Sequence, residues 1–244
     1  SRIAAYNFAP TKLSYDNLKE EEVREETITI TGNTVIDALY YVINKLEQDI
    51  SLSDKIKSEL QMLGLPEELL NSWGISRRLV VTGHRRENFG DGFLHICQAI
   101  KILAERYPET DFVYPVHLNP NVQKPVNELL SHIPNVYLIK PLEYLPFVYL
   151  MKCSYFILTD SGGVQEEAPG LGKPVLVMRD TTERPEAVEA GTVKLVGTDV
   201  DEIVQSSISL FENELSYKKM SEANNPYGDG LSSGRIVAVL EKLL

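Results

Sequence analysis

Basic and glycine residues are concentrated in the segment 82–90, Thr-Gly-His-Arg-Arg-Glu-Asn-Phe-Gly, which follows the apolar run 79–81. A tight glycine turn that opens toward a helix presents unpaired N–H groups and the positive end of the helix dipole. His84, Arg85 and Arg86 add positive charge at the same place, so the segment suits an oxyanion such as phosphate. A charged surface turn is the alternative interpretation.

A second candidate is the segment 159–169, Thr-Asp-Ser-Gly-Gly-Val-Gln-Glu-Glu-Ala-Pro, which also follows an apolar run. Small residues let a backbone approach a diphosphate closely at the start of a helix. These small residues are Ser161, Gly162 and Gly163. Glu166 or Glu167, one turn further on, could accept two hydrogen bonds from the hydroxyls of a ribose. A type II turn followed by a helix cap is the alternative.

Three weaker candidates lie elsewhere. In the segment 179–186, Arg184 could reach a ligand oxygen, and Glu186 would then hold the arginine or a sugar hydroxyl. An internal salt-bridged turn is the alternative there. His117 follows an apolar run, so a structural histidine is the default interpretation. Phe147 could stack on a base, although a core aromatic is the commoner outcome.

Short apolar runs that alternate with helical periodicity predict the elements that carry these segments. Continuous apolar runs are typical of strands buried on both faces of a parallel sheet. The six runs are 79–81, 112–116, 136–139, 155–158, 175–177 and 193–196, and the helices between them are 92–106, 122–130, 145–151 and the start at 164–168. This pattern predicts an α/β fold with a doubly wound, Rossmann-like parallel sheet in the order 3-2-1-4-5-6.

In that order the first and fourth strands flank the topological switch point of the sheet. Ligands bind there, outside the carboxyl ends of the strands. The segments 82–90 and 159–169 follow these two strands. Both anion-friendly turns are therefore predicted to line one crevice.

The two ends of the chain lie outside this unit. Residues 1–31 predict a strand, a polar helix and a strand, which we interpret as the remnant of a truncated amino-terminal domain. An extension of a single domain is the alternative. The start at Ser1 resembles neither an initiator methionine nor a signal peptide. Three further divisions follow this remnant. Residues 32–50 are predicted to contain a bridging helix capped by Asn33 or Thr34, and residues 51–225 are predicted to form a nucleotide-binding domain. The last division, 226–244, is predicted to contain a carboxy-terminal helix over 236–244.

Composition excludes several classes of protein. The 244 residues are 43% hydrophobic and 24% charged, which is typical of a globular chain. The net charge of -11 argues against binding to nucleic acid or to an anionic membrane through the global field. Cys97 and Cys153 lie far apart, lack metal-ligand spacing and sit in apolar stretches, which favours buried, reduced thiols and a cytoplasmic location. The sequence lacks dinucleotide-binding, Walker, zinc-ligand and nucleophile-elbow motifs. These absences argue against a metal site and against a hydrolase.

Taken together, these stretches resemble the non-hydrolysing UDP-N-acetylglucosamine 2-epimerases. The resemblance covers the whole chain, because six motifs occur in the order of the family. The matching motifs are 8–11, 31–37, 82–90, 115–120, 158–197 and 225–230. The resemblance implies one half of a two-domain, glycosyltransferase-B-like architecture whose carboxy-terminal domain holds the nucleotide.

The resemblance also implies roles for individual residues. His84 would be catalytic, contacting the diphosphate or assisting its departure. The implied substrate-binding residues are Phe147 near the uracil, Glu167 at the ribose, Ser161, Gly162 and Gly163 at the phosphates, and Arg184 and Glu186 along the cleft. Arg85 and His117 match positions implicated in allosteric activation by a second UDP-N-acetylglucosamine in bacterial members.

The implied reaction inverts C2 of the sugar and gives UDP-N-acetylmannosamine. UDP is eliminated to leave a bound glycal and is then re-added after reprotonation. A departing diphosphate builds negative charge, which His84, arginine and helix N-termini would stabilise. The resemblance implies no metal and no redox cofactor. The implied partners are UDP and UDP-N-acetylhexosamine, with a homodimer of the full-length enzyme and a role in cell-envelope polysaccharide biosynthesis.

The acid and base carboxylates of the family are thought to lie in its amino-terminal domain. Epimerisation needs a base at C2 and a proton donor on the opposite face, and no pair of carboxylates in this sequence clearly fills both roles. We therefore expect this chain alone to bind UDP weakly and to turn over little or no substrate. The alternatives are a glycosyltransferase or UDP-sugar hydrolase of the same architecture, and a non-catalytic nucleotide-sugar-binding module.

Overall fold

A computed structural model describes residues 3–72 and 77–242 of the chain. The strands of this part are β1 (Asn7–Ala9), β2 (Ile28–Ile30), β3 (Arg78–Thr82), β4 (Asp111–Pro115), β5 (Val136–Ile139), β6 (Phe156–Thr159), β7 (Val175–Val177) and β8 (Val193–Leu195). Its helices are α1 (Lys12–Glu20), α2 (Thr34–Gln48), α3 (Ile50–Met62), α4 (Glu67–Asn71), α5 (Asp91–Arg106), α6 (Pro120–Leu130), α7 (Tyr144–Cys153), α8 (Gly162–Gly170), α9 (Pro185–Glu189), α10 (Val200–Glu212), α11 (Glu214–Ser221) and α12 (Ser232–Glu241).

The main sheet is parallel throughout, with the strand order β5-β4-β3-β6-β7-β8. This order confirms the predicted doubly wound topology. The central strands β3 and β6 pair from Leu79 with Phe156 to Thr82 with Thr159, so both strands end at the same level. The turns that follow β3 and β6 therefore start side by side at the carboxyl edge of the sheet.

Helices cover both faces of the sheet, which explains why its strands are continuously apolar. Along β3, Leu79 and Val81 belong to one buried cluster, together with residues of α5, α6 and α10. Val80 points to the opposite face and belongs to a second cluster, with residues of α2, α3, α7 and α8. All three β3 residues are fully buried, so both faces of this strand contribute to the core.

Near the amino terminus, β1 and β2 form a separate two-stranded parallel sheet, and α1 lies in the connection between the two strands. Thr11 caps α1 by accepting the N–H of Ser14 at 3.1 Å. The predicted strand, helix and strand are thus all present. Ser1 and Arg2 of the predicted division 1–31 lie outside the described residues, and its assignment to a separate domain stays a prediction.

The predicted bridging helix is α2, and Asn33 caps it by accepting the N–H of Val35 at 3.1 Å. The final helix begins at Ser232, four residues before its predicted start at Ile236, and the last two residues of the chain lie outside the described part. Five further helices in the described part of the chain were not among the predicted elements. They are α3, α4, α9, α10 and α11.

Asp37 joins the bridging helix to the final helix. This side chain on α2 accepts the backbone N–H of Ser232 at 3.1 Å and that of Ser233 at 2.7 Å, at the amino end of α12. Burial acts to raise the pKa of Asp37, but the hydrogen bonds from Ser233 and Ser232 outweigh it and the pKa is lowered. The ionised carboxylate is therefore the form that stabilises the helix end.

We predict that Asp37→Ala lowers the free energy of unfolding by about 1 kcal/mol at neutral pH, because α12 loses its cap. A depressed pKa gives stability that is present above the unfolded value of about 3.9 and is lost as pH falls through the folded value. The difference between wild type and variant in urea unfolding should therefore shrink under acidic conditions. Asp54→Ala, at an exposed position on α3, is the matched control and should leave stability nearly unchanged. A difference that does not vary with pH would contradict this account of the cap.

Candidate functional site

The turns after β3 and β6 are joined by the carboxylate of Asp160. This side chain is 0% exposed, and its Oδ2 accepts the backbone N–H of His84 at 2.8 Å and that of Arg85 at 2.7 Å. The hydroxyls of Thr82 and Thr159 form a further hydrogen bond of 2.6 Å between the strand ends. The structure thus brings together the two segments that were predicted to share one crevice.

The imidazole of His84 lies between Asp160 and His117. Its Nδ1 is 3.3 Å from Oδ1 of Asp160. Its ring stacks on the ring of His117, with 5.6 Å between centroids. His117 is exposed, and its Nδ1 accepts the N–H of Asn119 at 3.1 Å. His117 is therefore an exposed residue whose ring is positioned by Asn119 and His84.

A cavity of about 230 Å³ opens at the carboxyl ends of the central strands. Its lining includes four of the predicted site residues, His84, His117, Phe147 and Ser161. The rest of the lining is Thr82, Gly83, Pro115, Pro141, Leu142 and Val164. Phe147 is half-buried in the first turn of α7, so it packs on the core and also presents part of its ring to the cavity.

The amino end of α8 lies beside the guanidinium group of Arg85. A Cβ atom added to Gly162 would lie 3.3 Å from Nη2 of Arg85, so the absence of a side chain permits this approach. The first N–H groups of a helix have no partner within it and carry the positive end of its dipole. Ser161, the residue before α8, makes no side-chain cap of its own. Two sources of positive potential therefore converge where an anion would be stabilised.

The turn after β3 differs in one respect from the prediction. A short 3-10 turn at Arg86–Asn88 separates it from α5, which begins at Asp91 with Gly90 as its cap. Arg86 is exposed in this turn, whereas the Arg85 side chain is partly buried beside α8. The site of positive potential therefore depends on α8 and Arg85 rather than on the amino end of α5.

The two neighbouring glutamates of α8 have different partners. Glu167 is 9% exposed and accepts the hydroxyl of Tyr144 at 2.6 Å, on the helix that carries Phe147. Burial raises the pKa of Glu167, and the Tyr144 hydrogen bond opposes that effect. Glu166 pairs with Nε of Arg184 and accepts the side-chain amide of Asn33 at 2.7 Å.

The segment 179–186 contains the internal salt bridge that was considered for it. Arg179 is buried, donates to both carboxylate oxygens of Glu183 at 2.7 and 3.0 Å, and also pairs with Glu87. The hydrogen bonds from Arg179 lower the pKa of Glu183 to about 2.

Glu186 does not hold Arg184, contrary to one of the two roles considered for it. Its oxygens accept the hydroxyl of Thr11 at 2.6 Å and that of Tyr227 at 3.3 Å. Arg184 lies immediately before α9, whereas Glu186 lies inside that helix. The two side chains therefore contact different elements, and Glu166 is the carboxylate that pairs with Arg184.

A larger cavity of about 760 Å³ lies between the segments 30–32 and 223–229. Its charged residues Asp229 and Arg235 pair with each other through two hydrogen bonds of 2.7 and 2.8 Å. Within the described part of the chain, none of the predicted site residues lines it. We therefore assign the candidate site to the smaller cavity, which His84 and Ser161 line beside the amino end of α8.

Two kinds of feature are absent from residues 3–72 and 77–242. No group of three or more histidine, cysteine, aspartate or glutamate side chains is arranged to hold a metal ion. No helix combines the length and the apolar character that crossing a membrane would require.

Asp160, Tyr144 and Asn33 were not among the predicted site residues. Asp160 directly follows a strand at the switch point, and this position was the signal available. Tyr144 precedes Phe147 by three residues and so lies on the same side of α7. The partner of Asn33 is 133 residues away, which leaves no local signal.

A doubly wound parallel sheet with ligand-competent turns at its switch point defines the Rossmann-like class of nucleotide-binding domains. A family model described as UDP-N-acetylglucosamine 2-epimerase matches residues 1–241. The chain therefore belongs to the UDP-N-acetylglucosamine 2-epimerase family.

Individual relatives agree with this assignment. A UDP-N-acetylglucosamine 2-epimerase of Campylobacter jejuni is 54% identical over 243 residues, which cover 98% of this chain and 61% of the relative. The crystal structure of the Neisseria meningitidis enzyme bound to UDP-GlcNAc has a TM-score of 0.88 at 48% identity, over 98% of this chain and 62% of that one. The Methanocaldococcus jannaschii enzyme in complex with UDP-GlcNAc and UDP has a TM-score of 0.77 at 31% identity, over 99% of this chain and 62% of that one. The chain thus spans about three fifths of the length of the relatives it matches.

We predict that Gly83→Ala destabilises the fold by about 1–3 kcal/mol, the usual cost of overpacking a core. The added Cβ would lie 2.8 Å from the hydroxyl of the fully buried Tyr114 and 3.3 Å from the ring of Phe93. Thermal unfolding measures the effect, and Tyr114→Phe combined with Gly83→Ala should recover part of the loss. Gly234→Ala is the matched control, because its Cβ meets nothing within 4 Å and α12 favours alanine over glycine. Equal stability of Gly83→Ala and wild type would show that the turn is not tightly packed.

Proposed function

We propose that this chain supplies the UDP-binding half of an enzyme that interconverts UDP-N-acetylglucosamine and UDP-N-acetylmannosamine by C2 epimerisation. The observation that carries the proposal is the convergence of the α8 amino end, Arg85 and His84 at the switch point of the sheet. Family membership and the names of the relatives support the same activity. Two solved relatives, one bound to UDP-GlcNAc and one in complex with UDP-GlcNAc and UDP, support the class of substrate.

In this proposal the diphosphate binds the backbone N–H groups of Gly162 and Gly163, with Arg85 and His84 on its other side, because the N–H of Ser161 already donates to the hydroxyl of Thr159 at 2.9 Å. The uracil lies against Phe147 at the apolar wall of the cavity, which Pro141 and Leu142 extend. The faces of a base form no hydrogen bonds with water, so packing them on an apolar wall removes them from water at no cost in hydrogen bonds. The position of Phe147 on α7 therefore supports a nucleoside at this end of the site.

Glu167 is the carboxylate that we assign to the ribose. Its side chain accepts the hydroxyl of Tyr144, on the same helix as Phe147, and this contact supports a position at the nucleoside end. The oxygens of Glu166 are already occupied by Arg184 and Asn33. We assign Arg184 and Glu186 to the wall of the cleft. In this position they would add contacts to a ligand whose main binding site is the amino end of α8.

Elimination of UDP places growing negative charge on the departing diphosphate. Donors that are fixed before the reaction stabilise such charge most effectively. The N–H groups of α8, Arg85 and the imidazole of His84 are the groups that we propose for this task. His84 would also supply a proton to the leaving phosphate or hold it by a hydrogen bond.

The C2 acid and base are not assigned to residues of this chain. The carboxylates around the crevice have other partners: Glu166 pairs with Arg184, Glu167 accepts Tyr144, and Glu183 pairs with Arg179. The chain spans 61% of the length of its relative from Campylobacter jejuni. We place the pair that exchanges the C2 proton in the remaining part of the full-length enzyme.

An allosteric role for Arg85 and His117 is a further part of the proposal. His117 is exposed at the mouth of the cavity and stacks on His84. A second nucleotide-sugar bound against His117 would contact the ring that stacks on His84, the histidine that serves the first ligand. This geometry supports direct coupling between the two ligands without a change elsewhere in the domain.

We also propose a cytoplasmic location and a homodimer of the full-length enzyme. The state of the cysteines supports the location, because reduced thiols are typical of that compartment. Burial raises the pKa of Cys97 to about 12 and also raises that of the half-buried Cys153, so neither is a ready thiolate.

Calorimetric titration with UDP, with UMP for comparison, tests the proposed site. We expect saturable binding of UDP that exceeds binding of UMP, because the second phosphate contacts α8 and Arg85. Ser161→Tyr should abolish binding by filling the approach to α8, and Glu167→Ala should weaken it about tenfold, the effect of losing charged hydrogen bonds. Ser131→Tyr and Glu128→Ala, both at exposed positions of or next to α6, are the matched controls. A folded chain that binds no UDP would refute the half-site, and UDP release from UDP-N-acetylglucosamine without epimerisation by the full-length enzyme would favour a hydrolase.

The pH dependence of the same titration tests the role of Glu167. Its pKa is raised above the ordinary 4.5 by burial, so it takes up a proton at higher pH than an exposed glutamate. The protonated acid accepts fewer hydrogen bonds from a ribose, and the affinity for UDP should therefore fall as pH decreases through the raised value. In Glu167→Gln this decrease should be absent, and the ratio of the two affinities cancels the titration of the phosphate. A ratio that is constant with pH would exclude Glu167 from the ligand contacts.

A further inference from the structure

Only one oxygen of the Asp160 carboxylate, Oδ2, bonds to the turn after β3 that this residue anchors. Oδ2 accepts the N–H groups of His84 and Arg85 and lies 3.4 Å from the side-chain amide of Asn88. Oδ1 is buried and has no hydrogen-bond partner among the described residues. A buried polar atom without a partner costs about 1–3 kcal/mol, so its presence calls for a physical explanation.

The imidazole of His84 is the group that Oδ1 faces. Nδ1 of His84 lies 3.3 Å from Oδ1, a distance that a small rotation of the ring would shorten to a hydrogen bond. Catalytic hydrogen bonds are commonly long in the absence of substrate and tighten when it binds. The side chain of His84 is 39% exposed on its other side, where it lines the cavity.

We propose that Asp160 is a positioning residue that fixes the tautomer and the orientation of His84. A proton on Nδ1 that is donated to Oδ1 leaves Nε2 as the ring nitrogen that meets the ligand. Protonation of Nε2 then gives an imidazolium held between the Asp160 carboxylate and a phosphate oxygen. The catalytic use of this arrangement rests on the proposed function, whereas the tautomer itself does not.

The surroundings of Asp160 are suited to this task because they hold the carboxylate still. Asn88, which approaches Oδ2, also donates to the carbonyl of Met178 at 3.0 Å. On the exposed side, the ring of His117 stacks on that of His84. The imidazole is thus restrained by a fixed carboxylate at one edge and by an aromatic ring on one face.

A merely structural role would require only the contacts of Oδ2 to the two backbone N–H groups. Asparagine at position 160 can supply those contacts through its amide oxygen. Its NH₂ group would then replace Oδ1 opposite His84, and it donates where the carboxylate accepted. Asp160→Asn therefore preserves the anchor of the turn and reverses the hydrogen-bond polarity toward the imidazole.

The test is the protonation pattern of the histidine ring nitrogens in the 244-residue chain, measured by long-range proton–nitrogen NMR after ¹⁵N-histidine labelling. His84→Gln assigns the resonances of His84. In wild type at a pH where the ring is neutral, we expect the proton of His84 on Nδ1, and in Asp160→Asn we expect it to shift to Nε2. His117 is the internal control, because its Nδ1 accepts the N–H of Asn119 and its proton should stay on Nε2 in both proteins.

A proton on Nε2 of His84 in the wild-type chain would overturn the proposal without any variant, so the test does not depend on the folding of Asp160→Asn. An unchanged Nδ1 proton in a folded Asp160→Asn chain would overturn it as well. Addition of UDP to the wild-type sample separates the two claims. A perturbation of Nε2 with Nδ1 still protonated supports both, whereas no response to UDP contradicts the proposed function and leaves the assignment of the tautomer intact.

Discussion

A buried carboxylate that joins two neighbouring turns is the constraint on which the crevice depends. A charge removed from water must be compensated by donors, and Asp160 has two backbone N–H groups of the turn after β3 as its donors. This contact fixes the turn after β6 to the turn after β3. The two turns start side by side because β3 and β6 are paired up to their last residues. The positions of His84 and Arg85 relative to α8 follow from this one contact, and these three elements create the region of positive potential.

A second set of polar contacts connects this crevice to the ends of the chain. The backbone N–H of Asn33 donates to the carbonyl of Tyr227 at 2.7 Å, and Asn225 donates to the carbonyl of Glu166 at 3.0 Å. Glu186 is bonded to both ends through Thr11 and Tyr227. The motifs 31–37 and 225–230 therefore have a structural role. They connect the bridging helix to the final helix, and they fix the positions of Glu166 and Glu186.

The sequence allowed prediction of the sheet and of the turns at its switch point, because strands such as Leu79–Val81 are continuous apolar runs with turn residues after them. The bridging helix was equally clear, with Asn33 before a strong apolar face. Helix α3 was not predicted, since only Ile56 and Leu60 are buried among its 13 residues. The 3-10 turn at Arg86–Asn88 also lacks a sequence signal of its own.

The partners within the site were beyond sequence reasoning because they are distant along the chain. Asp160 meets His84 across 76 residues, and Glu186 meets Thr11 across 175. Residue type suggested that an arginine and a glutamate in one short segment would pair. Backbone geometry directs Arg184 to Glu166 on α8 instead, while Glu186 faces the amino-terminal unit.

A crystal structure of this chain with UDP tests the central claim most directly. The claim is that the turns fixed by Asp160, together with the amino end of α8, form a diphosphate site. We expect the phosphates within hydrogen-bond distance of the N–H groups of Gly162 and Gly163 and of the Arg85 guanidinium, with the uracil against Phe147. UDP bound instead in the larger cavity beside Asp229 and Arg235, or away from α8, would contradict the account.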